Sequence, residues 1–175
     1  MVRNKLNEYL GIPYFSNVGK HKVMSRNNAL VGKGTAKEIA LQTIEFANQQ
    51  NIKLLDLTPT QIYNFQKKNH LGIDCSGLVC HLLGLKVDVR KISANMLTSL
   101  PISKQIKTLK SNDLIRQKNG HHVLLVLSVD KDLVTYVHSS LSKHGVIIET
   151  EKISKIPNQG FWKVNPDIAN AKVQT

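Results

Sequence analysis

The chain has 175 residues, 41% of them hydrophobic and 21% charged, a balance that suits one soluble domain burying about 70% of its unfolded surface. These values exclude a fibre and a disordered chain, and a core of this size needs no disulfide or metal staple. The formal charge of +12 is spread evenly, with ten basic and four acidic residues in 1–73 and fourteen and eight in 74–175, so no basic tail stands out.

Residues 3–10 read as a short helix with Leu6 and Leu10 on one face, stopped by Gly11 and Pro13. The N-terminal ten residues lack the apolar run of a signal peptide, and no stretch reaches transmembrane length. The expectation is a chain with no membrane span that is cytoplasmic as synthesised, or that reaches a cell wall by a non-standard route. From about 15 to 34 no period is sustained, and Gly32-Lys33-Gly34 marks a loop without the spacing of a phosphate loop.

Thr35 and Glu38 form a capping-box pair that predicts a helix over 36–50 with Ile39, Ala40, Thr43, Ile44 and Ala47 inward. Thr58-Pro59-Thr60-Gln61 repeats that grammar and predicts a helix over 59–69 with Ile62 and Phe65 inward. Cys75, Leu78, Val79, Leu82 and Leu83 follow an i, i+3, i+4, i+7, i+8 pattern, a fourth helix closed by Gly84. A polar connector runs through residue 112. The period then changes: Leu114-Ile115, the Asn119-Gly120 turn and the run from Val123 to Leu127 read as a hairpin, with further strands at 133–138, 145–150 and 160–164. Helices followed by an antiparallel sheet define an α+β fold with the Cys75 helix packed on the sheet.

Cys75 and Cys80 are the two cysteines, and on one helix they point roughly 140° apart, so they do not bridge. Cys80 falls off the inward stripe and reads as a free thiol. Cys75 opens its helix within Gly72-Ile73-Asp74-Cys75-Ser76-Gly77-Leu78-Val79. There the unsatisfied N–H groups and the helix dipole favour a thiolate and can hold an oxyanion, with Asp74 and Ser76 beside it as candidate substrate or oxyanion contacts. The competing reading is a small buried hydrophobe in phase with Leu78, Val79 and Leu82.

A nucleophilic cysteine needs a base, and the histidines are His21, His70, His81, His121, His122, His138 and His144. His121 and His122 open the strand after Asn119-Gly120, and strand alternation lets only one of them face the Cys75 helix. His138 ends the next strand, and paired strands bring residues within about 5 Å, close enough for one histidine to orient another.

Asp74-Cys75-Ser76-Gly77-Leu78-Val79 resembles the nucleophile motif of the NlpC family of bacterial cell-wall cysteine peptidases, which have a papain-like core. Three later segments keep the family's order. Leu109 to Ile115 resembles its Gly-Asp-Leu-Val segment, His122-Val123-Leu124-Leu125-Val126 its His-Val-Gly-Ile-Tyr strand, and Tyr136-Val137-His138-Ser139-Ser140 its Val-His-Ala-Ser element. The resemblance spans 72–150. It implies a single NlpC-like catalytic domain over 1–175, with Cys75 as nucleophile, His122 as base and His138 orienting it, while His121 points away. Leu10-Gly11-Ile12-Pro13-Tyr14 resembles a Pro-Tyr element that in the family lies about a dozen residues before the cysteine; here a helical insertion at about 15–70 separates them, leaving Tyr14 as a candidate oxyanion or substrate contact. Asn112 replaces the usual Gly, and Gln117 stands where an aromatic is common.

The reaction so implied is hydrolysis of a peptide amide, typically in peptidoglycan stems, through a thioester and with no metal or organic cofactor. Two other readings use the same scaffold: a non-catalytic or nucleic-acid-associated basic protein, supported by the +12 charge, and a cysteine acyltransferase. Nine scattered aromatic residues and dispersed charge disfavour a nucleic-acid partner.

Overall fold

The computed structural model describes residues 2–18 and 24–165, so His21 and residues 166–175 of the expected domain lie outside it. Five helices come first: α1 (Val2–Leu6), α2 (Ala36–Gln49), α3 (Pro59–Lys68), α4 (Cys75–Leu83) and α5 (Ala94–Leu97). Six strands follow: β1 (Ser103–Ile106), β2 (Leu114–Gln117), β3 (His122–Asp130), β4 (Leu133–Ser140), β5 (Gly145–Lys152) and β6 (Phe161–Val164). They form one antiparallel sheet in the order β1-β6-β2-β3-β4-β5. The fold is α+β, and α4 packs on β3 and β4 as the helix pattern requires. Among the described residues no helix is long and apolar enough to cross a membrane.

Both capping boxes form. Thr35 Oγ1 accepts the Glu38 N–H while the Glu38 carboxylate accepts the Thr35 N–H, and Thr58 and Gln61 do the same for α3. Thr35→Ala removes one of these bonds at the start of the longest helix, and the expected result is a loss of about 1 kcal/mol in urea unfolding.

The inward stripe of α2 is turned from its expected position. Ile39, Thr43 and Ala47 are buried, but Ala40 and Ile44 are exposed and Gln42 is buried instead. The cause is the 3₁₀ turn Asn28–Val31, which packs on the Gln42 side, where the Asn27 side-chain amide donates to Gln42 Oε1. At the N-terminus α1 stops at Leu6, earlier than expected, and the chain turns with the Tyr9 N–H on the Leu6 carbonyl. That break loses the helical phase, so Leu10 is exposed and Tyr9 is buried in its place.

Two apolar layers cover the two faces of the sheet. One holds Cys75, Leu78, Val79 and Leu82 of α4 against Leu114, Val123, Leu125 and Val137. The other joins Ile115, Leu124, Val126, Val134 and Tyr136 to Leu109 and Ile156 on the opposite face. Burial on both sides explains why Val123 to Leu127 is an unbroken apolar run. The expected connector before residue 112 contains α5 and the edge strand β1, which pairs with β6. Cys80 is not off the packed side of its helix: α4 is covered by α1 as well as by the sheet, and Cys80 is 2% exposed in the main core.

The segment expected as an insertion closes on itself. Tyr14 and Ile73 form a parallel bridge, and the Ile73 N–H donates to the Pro13 carbonyl at 3.0 Å. This approach needs Gly72, because a Cβ there would run into the Pro13 carbonyl oxygen. Tyr14 therefore reaches the start of α4 although about sixty residues separate it from Cys75 in sequence.

Candidate active site

Asp74 is the N-cap of α4. Its Oδ1 accepts the Gly77 N–H at 2.6 Å, leaving Cys75 as the first helical residue. The backbone N–H groups of Val123 and Ser76 act on the Cys75 sulfur in the direction that favours its thiolate. Cys75, Tyr14, Asp74, Ser76 and His121 share a cavity of about 560 Å³, whose rim adds Arg90, Lys91 and Asn95.

The thiol is 5% exposed, and its electrostatics run against the expected thiolate. Burial, then the Asp74 carboxylate, push it up to about 11, outweighing the two N–H groups and Lys33. Burial also pushes Cys80 up to about 12 and raises the Tyr14 phenol. Neither thiol is ionised at neutral pH, so Cys75 needs a base to react.

Lys33, read in sequence only as part of a glycine loop, is buried beside this site. Its ammonium donates to Asp74 Oδ1 at 3.0 Å, Ser76 Oγ at 2.6 Å and the Ile92 carbonyl at 2.8 Å, and it pairs with Asp74 Oδ2 at 2.8 Å. Asp74 and Ser76 thus hold the helix start while also lining the cavity.

His122 and His138 do meet, as the paired strands predict, but not beside Cys75. His122 Nε2 lies 2.9 Å from His138 Nδ1, and His138 Nε2 lies 2.8 Å from Glu149 Oε2. Lys143 donates to the other Glu149 oxygen at 2.6 Å. Burial, then the neighbouring His138, depress His122 to about 4, and burial lowers His138 despite its bond to Glu149. With both rings neutral, His138 Nε2–H donates to Glu149 and His122 Nε2–H donates to His138, so His122 Nδ1 carries the free lone pair.

This relay opens on a separate cavity of about 210 Å³, lined by Leu124, Tyr136 and Glu151 among others. His122 has the strand parity of Leu124 and Val126, which face away from α4, whereas Val123 and Leu125 pack against it. Among the described residues Cys75 bonds to no histidine side chain. The expected Cys75-His122-His138 triad is therefore divided between the two sides of the sheet, and His121, expected to point away, is the histidine in the Cys75 cavity. Glu149 carries no site motif in the sequence. Its signal was its place on the strand paired with β4, opposite Tyr136.

The fold and site together define an α+β protein with a helix-start cysteine in a cleft and a histidine–carboxylate relay behind the sheet. No family model, characterised protein or solved structure matches the chain. Among the described residues no group of three or more His, Cys, Asp or Glu side chains is placed to hold a metal ion.

Proposed function

We propose that the chain is a cysteine-dependent amide hydrolase with an NlpC-type, papain-like core, acting on peptides of the bacterial cell wall. The ordered motif resemblance over 72–150 supports the family and substrate class. One structural observation carries the chemistry: Cys75 opens α4 onto a cavity that also takes in Tyr14 and His121.

In this reading His121 removes the thiol proton as the Cys75 sulfur attacks the amide carbonyl carbon. The backbone N–H groups at the start of α4, Ser76 among them, hold the oxyanion, and the Tyr14 hydroxyl of the same cavity is a further donor. His121 returns the proton to the amide nitrogen, the C–N bond breaks and the amine leaves a thioester on Cys75. Water, deprotonated by His121, attacks that thioester and releases the carboxylate and the thiol.

His121→Asn is expected to lower amine release from soluble muropeptides by about 10²- to 10⁴-fold, with His122→Asn close to wild type. The reverse pattern would transfer the base role to the His122-His138-Glu149 relay. No amine release by the wild type would reject cell-wall amide hydrolysis.

A further inference from the structure

We propose that Lys33 is a positioning residue for Cys75, its ammonium fixing the start of α4 and offsetting the Asp74 carboxylate beside the thiol. The inference rests on the reading of Cys75 as the reacting group.

The geometry is that of a hub. Lys33 is 8% exposed, and its three ammonium hydrogens are all used, on Asp74, Ser76 and the carbonyl of Ile92. Its own backbone is fixed from three sides: its N–H donates to the Asn28 carbonyl, its carbonyl accepts from His81 Nε2 at 2.8 Å, and it bridges Ile73 in antiparallel fashion. The Asp74 N–H donates to the neighbouring Gly32 carbonyl at 2.9 Å. The loop over 32–34 thus holds both the backbone and the side chain of the residue that caps the Cys75 helix. Ser76, which Lys33 also grips, directly follows Cys75, and its backbone N–H favours the thiolate.

Charge follows from the same contacts. An Asp74 carboxylate one residue from Cys75 disfavours a thiolate, and Lys33 opposes that effect. A buried carboxylate without a partner would be costly, so the ammonium serves both the fold and the thiol. The other titratable or charged groups facing this cavity are Tyr14, Arg90, Lys91 and His121, none of them bonded to the Lys33–Asp74 pair.

The test is the rate of iodoacetamide labelling of Cys75 in the full chain, followed by peptide mass spectrometry from pH 6 to 10, with amine release measured in parallel. Lys33→Met is expected to slow labelling at pH 8 about tenfold and to move the profile upward in pH, by about one unit. Asp74→Asn keeps a capping side chain, removes the negative charge and should speed labelling by a similar factor. The double variant Lys33→Met/Asp74→Asn holds no lone buried charge and should return near the wild-type profile. Should Lys33→Met not fold, the remaining pair decides: the double variant must label more slowly than Asp74→Asn. Equal rates and profiles in those two would overturn the inference. Labelling that follows the expected pattern while the wild type releases no amine would leave Lys33 its positioning role and reject the hydrolase reading.

Discussion

Cys75→Ala is expected to lower amide hydrolysis by about 10⁴-fold or more while the protein stays folded. The sulfur is the atom that bonds the acyl group in the proposed reaction, so its removal leaves the covalent route without a nucleophile. The fold depends little on it. The α4 cap is made by Asp74 to the Gly77 N–H, the Lys33 bonds go to Asp74, Ser76 and Ile92, and alanine is a good helix former. Deleting one small buried group should cost roughly 1 kcal/mol, visible as a few degrees in Tm. Cys80→Ala is the matched control. It removes an equally buried sulfur from the same helix, on the side where Cys80 shares a cavity with Tyr9 and His81, and should leave hydrolysis near wild type. Equal activity loss in both variants, or none in Cys75→Ala, would remove Cys75 from the mechanism.

Acid should destabilise the protein through the buried histidine pair. His122 is held at about 4 in the folded state, against its ordinary 6.5 when the chain is unfolded. Between those values the unfolded chain binds the extra proton, so stability is full above pH 6.5 and falls as the pH drops toward 4. Through His122 alone this amounts to about 3 kcal/mol over that window. His138 is lowered as well and acts in the same direction. Glu149 is held below its ordinary value by Lys143 and His138 in spite of burial, and its contribution is lost at the acid end of the window. Urea unfolding at pH 7 and pH 4.5 should therefore show a large drop for wild type. In His122→Asn, which keeps a donor for His138 but cannot titrate, most of that slope should disappear. An unchanged slope would show that the acid sensitivity lies elsewhere.

Local signals made much of the helical half readable. Thr35 with Glu38 and Thr58 with Gln61 fix two helix starts through bonds within four residues, and Gly84 ends α4 in the left-handed region that favours glycine. Strand β1 escaped because an edge strand of sequence Ser-Lys-Gln-Ile carries no apolar alternation, and its pairing with β6 depends on residues about sixty positions away. The stripe of α2 departs from its helical pattern because a loop residue, Asn27, draws Gln42 inward.

The site was half legible for related reasons. Cys75 at a helix start is a local fact, and so is the meeting of His122 with His138 on neighbouring strands. Which of His121 and His122 faces α4 is not local. Alternation reveals a strand's inner face only when the other face is polar, and β3 is buried on both sides from His122 to Leu127. Motif likeness then favoured His122, whereas the packing of Val123 and Leu125 on α4 puts His121 on the cysteine's side. Lys33 left no trace because a lysine between two glycines reads as exposed loop, and its burial follows only from the tertiary position of Asp74 and Ile92.

A thioester on Cys75 is a species that can be trapped and weighed. Purified protein mixed with a muropeptide or an activated peptide ester and quenched in acid should show, by intact mass, a gain equal to the acyl group, and peptide mapping should place it on Cys75. Its decay on return to neutral pH, with release of free acid, would complete the cycle. Absence of the adduct while product forms, or an adduct on Cys80 instead, would contradict a Cys75 thioester mechanism.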